Sequence, residues 1–192
     1  MYIIHYSIPM SIEDLLELPL RRDWVVWVDS PACPLTAAKL PHHIGSFDTV
    51  RTMWEWKLTL PENPTSFIPN SNVYIFQDGI SPVWEDPANV GGGRWMFSIL
   101  REHDKFAPIA WQNVFLSVVG ETLITESESE ESIITGIILA RRSNYTRISI
   151  WTRAPHTEKT LQLGQMLKSA LPTFCIEFQV HGAAFGSYLY QL

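Results

Sequence analysis

Cysteine is almost missing from this chain: Cys33 and Cys175 are the only two among 192 residues. Two cysteines so far apart cannot build the multi-bridge framework of a small secreted domain, and neither sits in the paired Cys or His spacing that holds zinc. The expectation is a reducing compartment, the cytoplasm, with no metal and no cofactor. Basic residues are also in short supply, 14 Lys and Arg against 20 Asp and Glu, for a formal charge of −6. That balance excludes coating of nucleic acid through a broad basic surface, which needs many cations to displace counterions, and leaves room only for a local basic site. Long apolar runs are lacking too. The charge-free segment Ala107 to Gly120 falls well short of the roughly 18 apolar residues that a membrane span requires. The opening Met1-Tyr2-Ile3-Ile4-His5-Tyr6 has no basic stretch and no small-residue cleavage site, so no secretory signal is expected.

What the chain does have is core material: 46% hydrophobic against 18% charged residues, a composition unlike that of a disordered polymer. Its length fits one domain, here residues 21–181, with an N-terminal arm over 1–20 whose order depends on a partner and a C-terminal tail over 182–192. Trp24 to Val28 reads as a first strand, and residues 29–45, with Pro31, Pro34, Pro41 and Gly45, as a loop containing a short strand near His42 to Ile44. A helix capped by Asp48 carries Val50, Met53, Trp54 and Leu58 at helical spacing and ends before Pro61 and Pro64. Asn72 to Phe76 is a strand, Ile80 to Asp86 an extended arm, Arg94 to Ile99 a strand and Pro108 to Gly120 a helix. The acidic run Thr125 to Ser132 reads as a solvated loop. Ile133 to Ala140 and Arg147 to Trp151 pair around Ser143-Asn144-Tyr145, a third helix starts from a Thr157 cap, and Phe174 to Val180 is the last strand. Hairpin strands with three interspersed helices predict the α+β class, an antiparallel sheet with helices on one face and the other face free to bind.

Eight tryptophans are a large allotment. Trp24, Trp27, Trp95 and Trp111 sit among apolar neighbours and read as core. Trp84 differs: it follows Pro82 and precedes Glu85-Asp86-Pro87, a setting too polar for core packing. A surface ring beside a carboxylate can stack on a flat base while the acid accepts N–H groups from the base edge, and guanine offers two, N1–H and N2–H. Arg94, Arg141, Arg142 and Arg147 lie in or beside strands, where a guanidinium must face solvent, an acid or an anion. On one side with Trp84 they would clamp phosphate.

The run Asp78-Gly79-Ile80-Ser81-Pro82-Val83-Trp84-Glu85-Asp86, followed by Gly92-Gly93-Arg94-Trp95, resembles the signature of eukaryotic translation initiation factor 4E, the messenger-RNA cap-binding family. Trp24-Val25-Val26-Trp27, Phe47-Asp48-Thr49-Val50 with Trp54, Trp111 with Gly120-Glu121, and Ile148-Ser149-Ile150-Trp151-Thr152 follow in the family's order, so the resemblance covers about residues 18–181. It implies a curved antiparallel sheet with three helices packed on the convex face. It also implies that Trp84 stacks on 7-methylguanine, that Glu85 reads its N1–H and N2–H, and that Trp151 lies beside the N7-methyl group. Arg142 and Arg147 then hold the cap phosphates, with Arg94 acting nearby. On the back, Leu18-Pro19-Leu20, Val50, Trp54 and Leu116 match the surface that receives a Tyr-x-x-x-x-Leu-hydrophobic helix from a scaffold of the initiation-factor 4G type or a 4E-binding repressor. Asn113 stands where the family has an acidic residue and Gln112 where it has Leu, while Asn144 replaces a Lys of the phosphate clamp.

The largest departure lies in front. The family's first base-stacking ring falls at Ala37, and no Trp, Tyr or Phe occurs between Trp27 and Phe47; His42, His43, Phe185 and Tyr188 are the candidate substitutes. The leading expectation is a monomer within a heteromeric complex, without membrane contact and without catalysis, that binds the mRNA cap and recruits a scaffold for translation initiation. The competing one is a translational repressor or adaptor that kept the dorsal surface and has weak or lost cap affinity. No nucleophile-elbow, P-loop or paired-metal motif supports an enzyme.

Overall fold

A computed structural model describes residues 11–37, 39–60, 64–123, 131–153, 155, 157–184 and 186–192. The first ten residues of the arm, Pro61, residues 125–130 of the acidic run, His156 and Phe185 lie outside the described residues. In chain order the elements are α1 (Ile12–Leu16), β1 (Pro19–Asp29), β2 (His42–Thr49), α2 (Val50–Thr59), β3 (Ser71–Gln77), β4 (Gly93–Leu100), α3 (Ala107–Val119), β5 (Ile134–Arg141), β6 (Tyr145–Thr152), α4 (Glu158–Ala170), β7 (Glu177–Val180) and β8 (Tyr190–Gln191). The eight strands form one antiparallel sheet in the order β2-β1-β3-β5-β6-β4-β7-β8. The α+β class expected from the sequence is the one that forms.

Strand alternation sorts the side chains into two layers. On one face Trp24 and Val26, Val73 and Ile75, Trp95 and Phe97, Ile137 and Leu139, Ile148 and Ile150, and Phe178 pack into a single core with Met53 and Leu60 of α2 and its C-cap, Trp111, Phe115 and Val118 of α3, and Leu163 and Leu167 of α4. Trp24 and Trp95 are each 1% exposed and Trp111 6%; Trp27 instead lies half-buried on the other face, its ring 5.1 Å from that of His43. Helix α4 approaches β4 closely because it has no side chain at Gly164: the Trp95 indole occupies that space, and its Nε1 donates to the Thr160 carbonyl at 2.9 Å. The helix-free face carries a second, smaller cluster of Phe76, Ile80, Ile138 and Trp151.

Four boundaries differ from the sequence reading. Helix α2 is capped by Thr49 and not by Asp48, because β2 runs on through Thr49. The Thr49 hydroxyl accepts from the Thr52 amide at 3.2 Å, and the Thr52 hydroxyl accepts from the Thr49 amide at 3.1 Å. Leu58, placed on the apolar stripe by spacing, is 68% exposed. Strand β7 starts only at Glu177, and the segment read as a tail returns to the sheet, where Tyr190 pairs with Phe178. The arm also reaches the sheet: Pro19 is opposite Thr49. It holds α1, one turn long, with a Ser11–Asp14 capping box.

Candidate functional site

Residues 78–92 connect β3 to β4 across two intervening strands, and they do so as consecutive turns, not as an extended arm. Asp86 accepts from the Ser81 amide at 2.8 Å and from the Ala88 amide at 2.9 Å. Asn89, fully buried, donates its amide to the carbonyls of Ser81 at 3.0 Å and Val83 at 2.8 Å. Ile80 and Ala88 press the segment onto Phe76, Ile138 and Trp151 of the sheet. It ends at Gly92, where a Cβ would collide with the Thr152 carbonyl. This bracing turns Trp84 outward, 53% exposed, an arrangement that burial alone would not favour.

Beneath it the register sets one row of the helix-free face: Trp151 of β6, Arg94 of β4 and Gln179 of β7 are direct neighbours. Trp84, Arg94, Trp151, Gln179 and His181 line a cavity of about 220 Å³, closed on one side by Gly182 and Ala183. Phe76 meets Trp151 edge-on at 5.4 Å and His181 packs against its other side at 4.1 Å. The His181 Nε2 and the Trp151 Nε1 are buried without a hydrogen-bond partner. Burial, then the Arg94 charge, pushes His181 down to about 4, so the imidazole is neutral. Burial, and after it the charge of the Arg147 guanidinium, also lowers Arg94.

Of the six residues singled out for this face, Trp84, Arg94 and Trp151 share the cavity, and Arg147, opposite Ser98 and four positions along β6 from Trp151, donates from Nε to Ser98 at 3.1 Å and lies within electrostatic reach of Arg94. Neither Arg94 nor Arg147 has a carboxylate partner among the described residues. Glu85 is exposed and outside the cavity lining. Arg142 lies on the same face but is tied to β3: its Nη2 donates to Asn72 at 2.9 Å, and Asn72 and Tyr74 in turn donate to the buried Asp29, each at 2.6 Å. Burial and that carboxylate raise the Tyr74 hydroxyl well above the usual phenol range, so it stays a donor. Arg141 is on the opposite face, 5% exposed, against Asp104 and Thr146, and takes no part in a clamp.

No second ring faces Trp84 among the described residues. Ala37 is exposed. The His42 ring is bonded to the Pro34 carbonyl at 2.8 Å and His43 packs on Trp27. Burial, and after it the Glu177 carboxylate, raises the Tyr188 hydroxyl, with Arg147 and Arg94 acting the other way.

A family model described as eukaryotic initiation factor 4E matches residues 19–188. The chain belongs to that family. It is 30% identical over 173 residues to initiation factor 4E of Saccharomyces cerevisiae, covering 88% of this chain and 78% of that protein, and 31% identical over 175 residues to the Candida albicans protein, covering 86% and 80%. Among solved structures, C. elegans eIF4E-3 in complex with the 4E-binding protein Mextli and a cap analogue superimposes with a TM-score of 0.77 at 25% identity over 91% of this chain and 99% of that one. Ascaris suum eIF4E-3, solved with an m7G cap, gives 0.73 at 26% identity over 92% and 98%; a second structure of it holds an m2,2,7G cap.

On the helix side, this initiation factor 4E family member turns Trp54 outward, 37% exposed, with the Lys57 ammonium 5.5 Å from its ring. Trp54 therefore does not serve to pack α2 on the sheet; Met53, 7% exposed, does. Leu18 and Pro19 are exposed, Val50 and Leu116 half-buried, and Leu18 accepts from the Val50 amide at 3.0 Å. Between α2 and α3 lies a cleft of about 200 Å³ lined by Leu60, Ile109 and Gln112. Asn113 lines a separate groove, of about 490 Å³, on the other side of α3.

Proposed function

We propose that this chain binds the 7-methylguanosine 5′ cap of mRNA on its helix-free face and recruits a scaffold protein through its helical face, acting in the cytoplasm in translation initiation. The observation that carries the reading is the outward Trp84 ring, held by Asp86 and Asn89 beside a cavity whose wall bears Trp151 and Arg94. A methylated guanine is cationic, and an indole face attracts a cation more strongly than a neutral ring. Glu85, next in sequence and free in solvent, accepts from N1–H and N2–H, while Trp151 lies against the N7-methyl group. The neutral His181 adds no charge that would repel the base. The phosphates run toward Arg94 and Arg147, whose guanidinium donors lack carboxylate partners among the described residues. Arg142 joins them on exchanging Asn72 for phosphate. The caps bound in the related eIF4E-3 structures, m7G and m2,2,7G, support this assignment.

For the helical face the supports are the exposed Trp54 with Val50, Leu116, Leu18 and Pro19 around it and the 4E-binding protein seated on C. elegans eIF4E-3. With Asn113 neutral, a basic partner side chain finds no counter-charge there.

One stacking face in place of two lowers affinity by about 1–3 kcal/mol, the contribution of one aromatic to a stacked base. Titration of tryptophan fluorescence with 7-methyl-GTP and with GTP tests the reading. Quenching by the methylated ligand alone is expected, and it is lost in Trp84→Ala and Glu85→Ala proteins with unchanged melting temperatures. Retention of selective binding by both variants would refute the site. Absence of binding in the wild type, with a scaffold peptide still bound through Trp54, would favour the repressor or adaptor reading, to which the lack of any ring at Ala37 points.

A further inference from the structure

Gln179 is the least exposed polar residue of the cavity wall, 5% accessible, and the only one there using both ends of its side chain. Its Oε1 accepts from Arg94 Nη2 at 2.8 Å and its Nε2 donates to the Ala184 carbonyl at 3.0 Å. The orientation of the amide is forced, since a guanidinium can only donate and a carbonyl can only accept. The two residues are cross-strand partners in the β4–β7 ladder, so the contact is fixed by register and not by chance rotamers.

We infer that Gln179 is a positioning residue for the phosphate end of the ligand: it aims the Arg94 guanidinium without neutralising it, its own amide held in place by the Ala184 carbonyl. The inference rests on the cap reading above. The choice of a neutral amide is the point. A carboxylate at position 179 would hold Arg94 as firmly, but the ion pair would cancel the charge that a phosphate needs and would set a second anion against it. An apolar side chain would leave the charge intact and the guanidinium free to rotate. Arg94 has a second cation, Arg147, within electrostatic reach and no acid paired with it among the described residues. Its orientation therefore depends on Gln179.

The test is calorimetric titration of the full chain with 7-methylguanosine, 7-methyl-GMP and 7-methyl-GTP. For Gln179→Met the nucleoside affinity stays within about twofold of wild type while that for the triphosphate falls about tenfold, the size of one charge-assisted hydrogen bond. For Gln179→Glu the triphosphate loss is larger and the nucleoside is again spared. In an Arg94→Met background, Gln179→Met leaves the triphosphate-to-nucleoside ratio unchanged, because the two residues act through one contact. Equal losses for all three ligands, or an unaltered ratio in the single variants, would overturn the inference and leave cap binding standing. A wild-type chain that binds none of the three overturns the cap reading, and this inference with it.

Discussion

At the scale of single residues, His181 joins stability to ligand chemistry. Its ring is wedged against Trp151 and faces Arg94, and its value of about 4 lies below the ordinary 6.5. Between these two pH values the unfolded chain binds a proton that the folded chain refuses, so stability rises with pH across that window and is lost as pH falls from 6.5 toward 4. His181→Gln removes the titration. The melting temperature of the variant is expected to fall less than that of the wild type between pH 7 and pH 4.5, the difference between the two proteins cancelling the carboxylates they share. Parallel curves would show that His181 is protonated in the fold. Neither His181 nor Gln179 was legible as a site residue in the sequence, because their neighbour Arg94 is 85 positions from Gln179 and only the β4–β7 register brings them together. Trp84 was legible because its own neighbours, Pro82 and the acids at 85 and 86, already denied it a core.

At the scale of elements, the sequence marks β1, β3, β4, β5, β6 and β7, but it shows β2 only at His42 to Ile44, hides β8 in the segment that reads as a tail, and gives 80–86 as extended chain where the structure has turns. Pro82 and the β-branched Ile80 and Val83 suggest extended chain there, whereas Asp86 and Asn89 fold it by bonding to amides and carbonyls a few residues away. Side-chain bonds of this kind leave no periodic trace. They do leave a measurable one. Asn89→Ala strips the partners from two carbonyls; losing them costs about 1–3 kcal/mol where water cannot replace the donor. The loop can relax alone, so the expected result is a several-fold weaker affinity for 7-methyl-GTP with a small drop in melting temperature. A large drop with intact affinity would mean that Asn89 supports the core and not the Trp84 turn. The cap of α2 repeats the lesson: Asp48 and Thr49 are both good cap residues, and the choice fell to Thr49 because β2 extends far enough to use up Asp48.

At the scale of the molecule, the two layers keep the two proposed binding faces apart, with Trp54 on the helix side and Trp84 on the sheet side. Perturbations separated by a packed core act independently. Trp54→Ala is therefore expected to weaken binding of a Tyr-x-x-x-x-Leu-hydrophobic peptide about tenfold or more, as loss of a central aromatic anchor does, and to leave 7-methyl-GTP affinity within about twofold; Trp84→Ala does the reverse. Titrations of both variants with both ligands check this, and a variant that loses both would show the faces to be coupled. The α+β class was legible from hairpins and helix stripes, but not the strand order, which no local pattern encodes. That order has a consequence for synthesis. Strands β3 and β4 are consecutive in the chain, yet β5 and β6 lie between them in the sheet. A ribosome has thus delivered Trp84 and Arg94 well before it delivers the hairpin that spaces them, and later still the strand that carries Gln179. A nascent or stalled chain halted before Ile134 holds the signature residues without the surface they belong to, so only finished molecules compete for ligand.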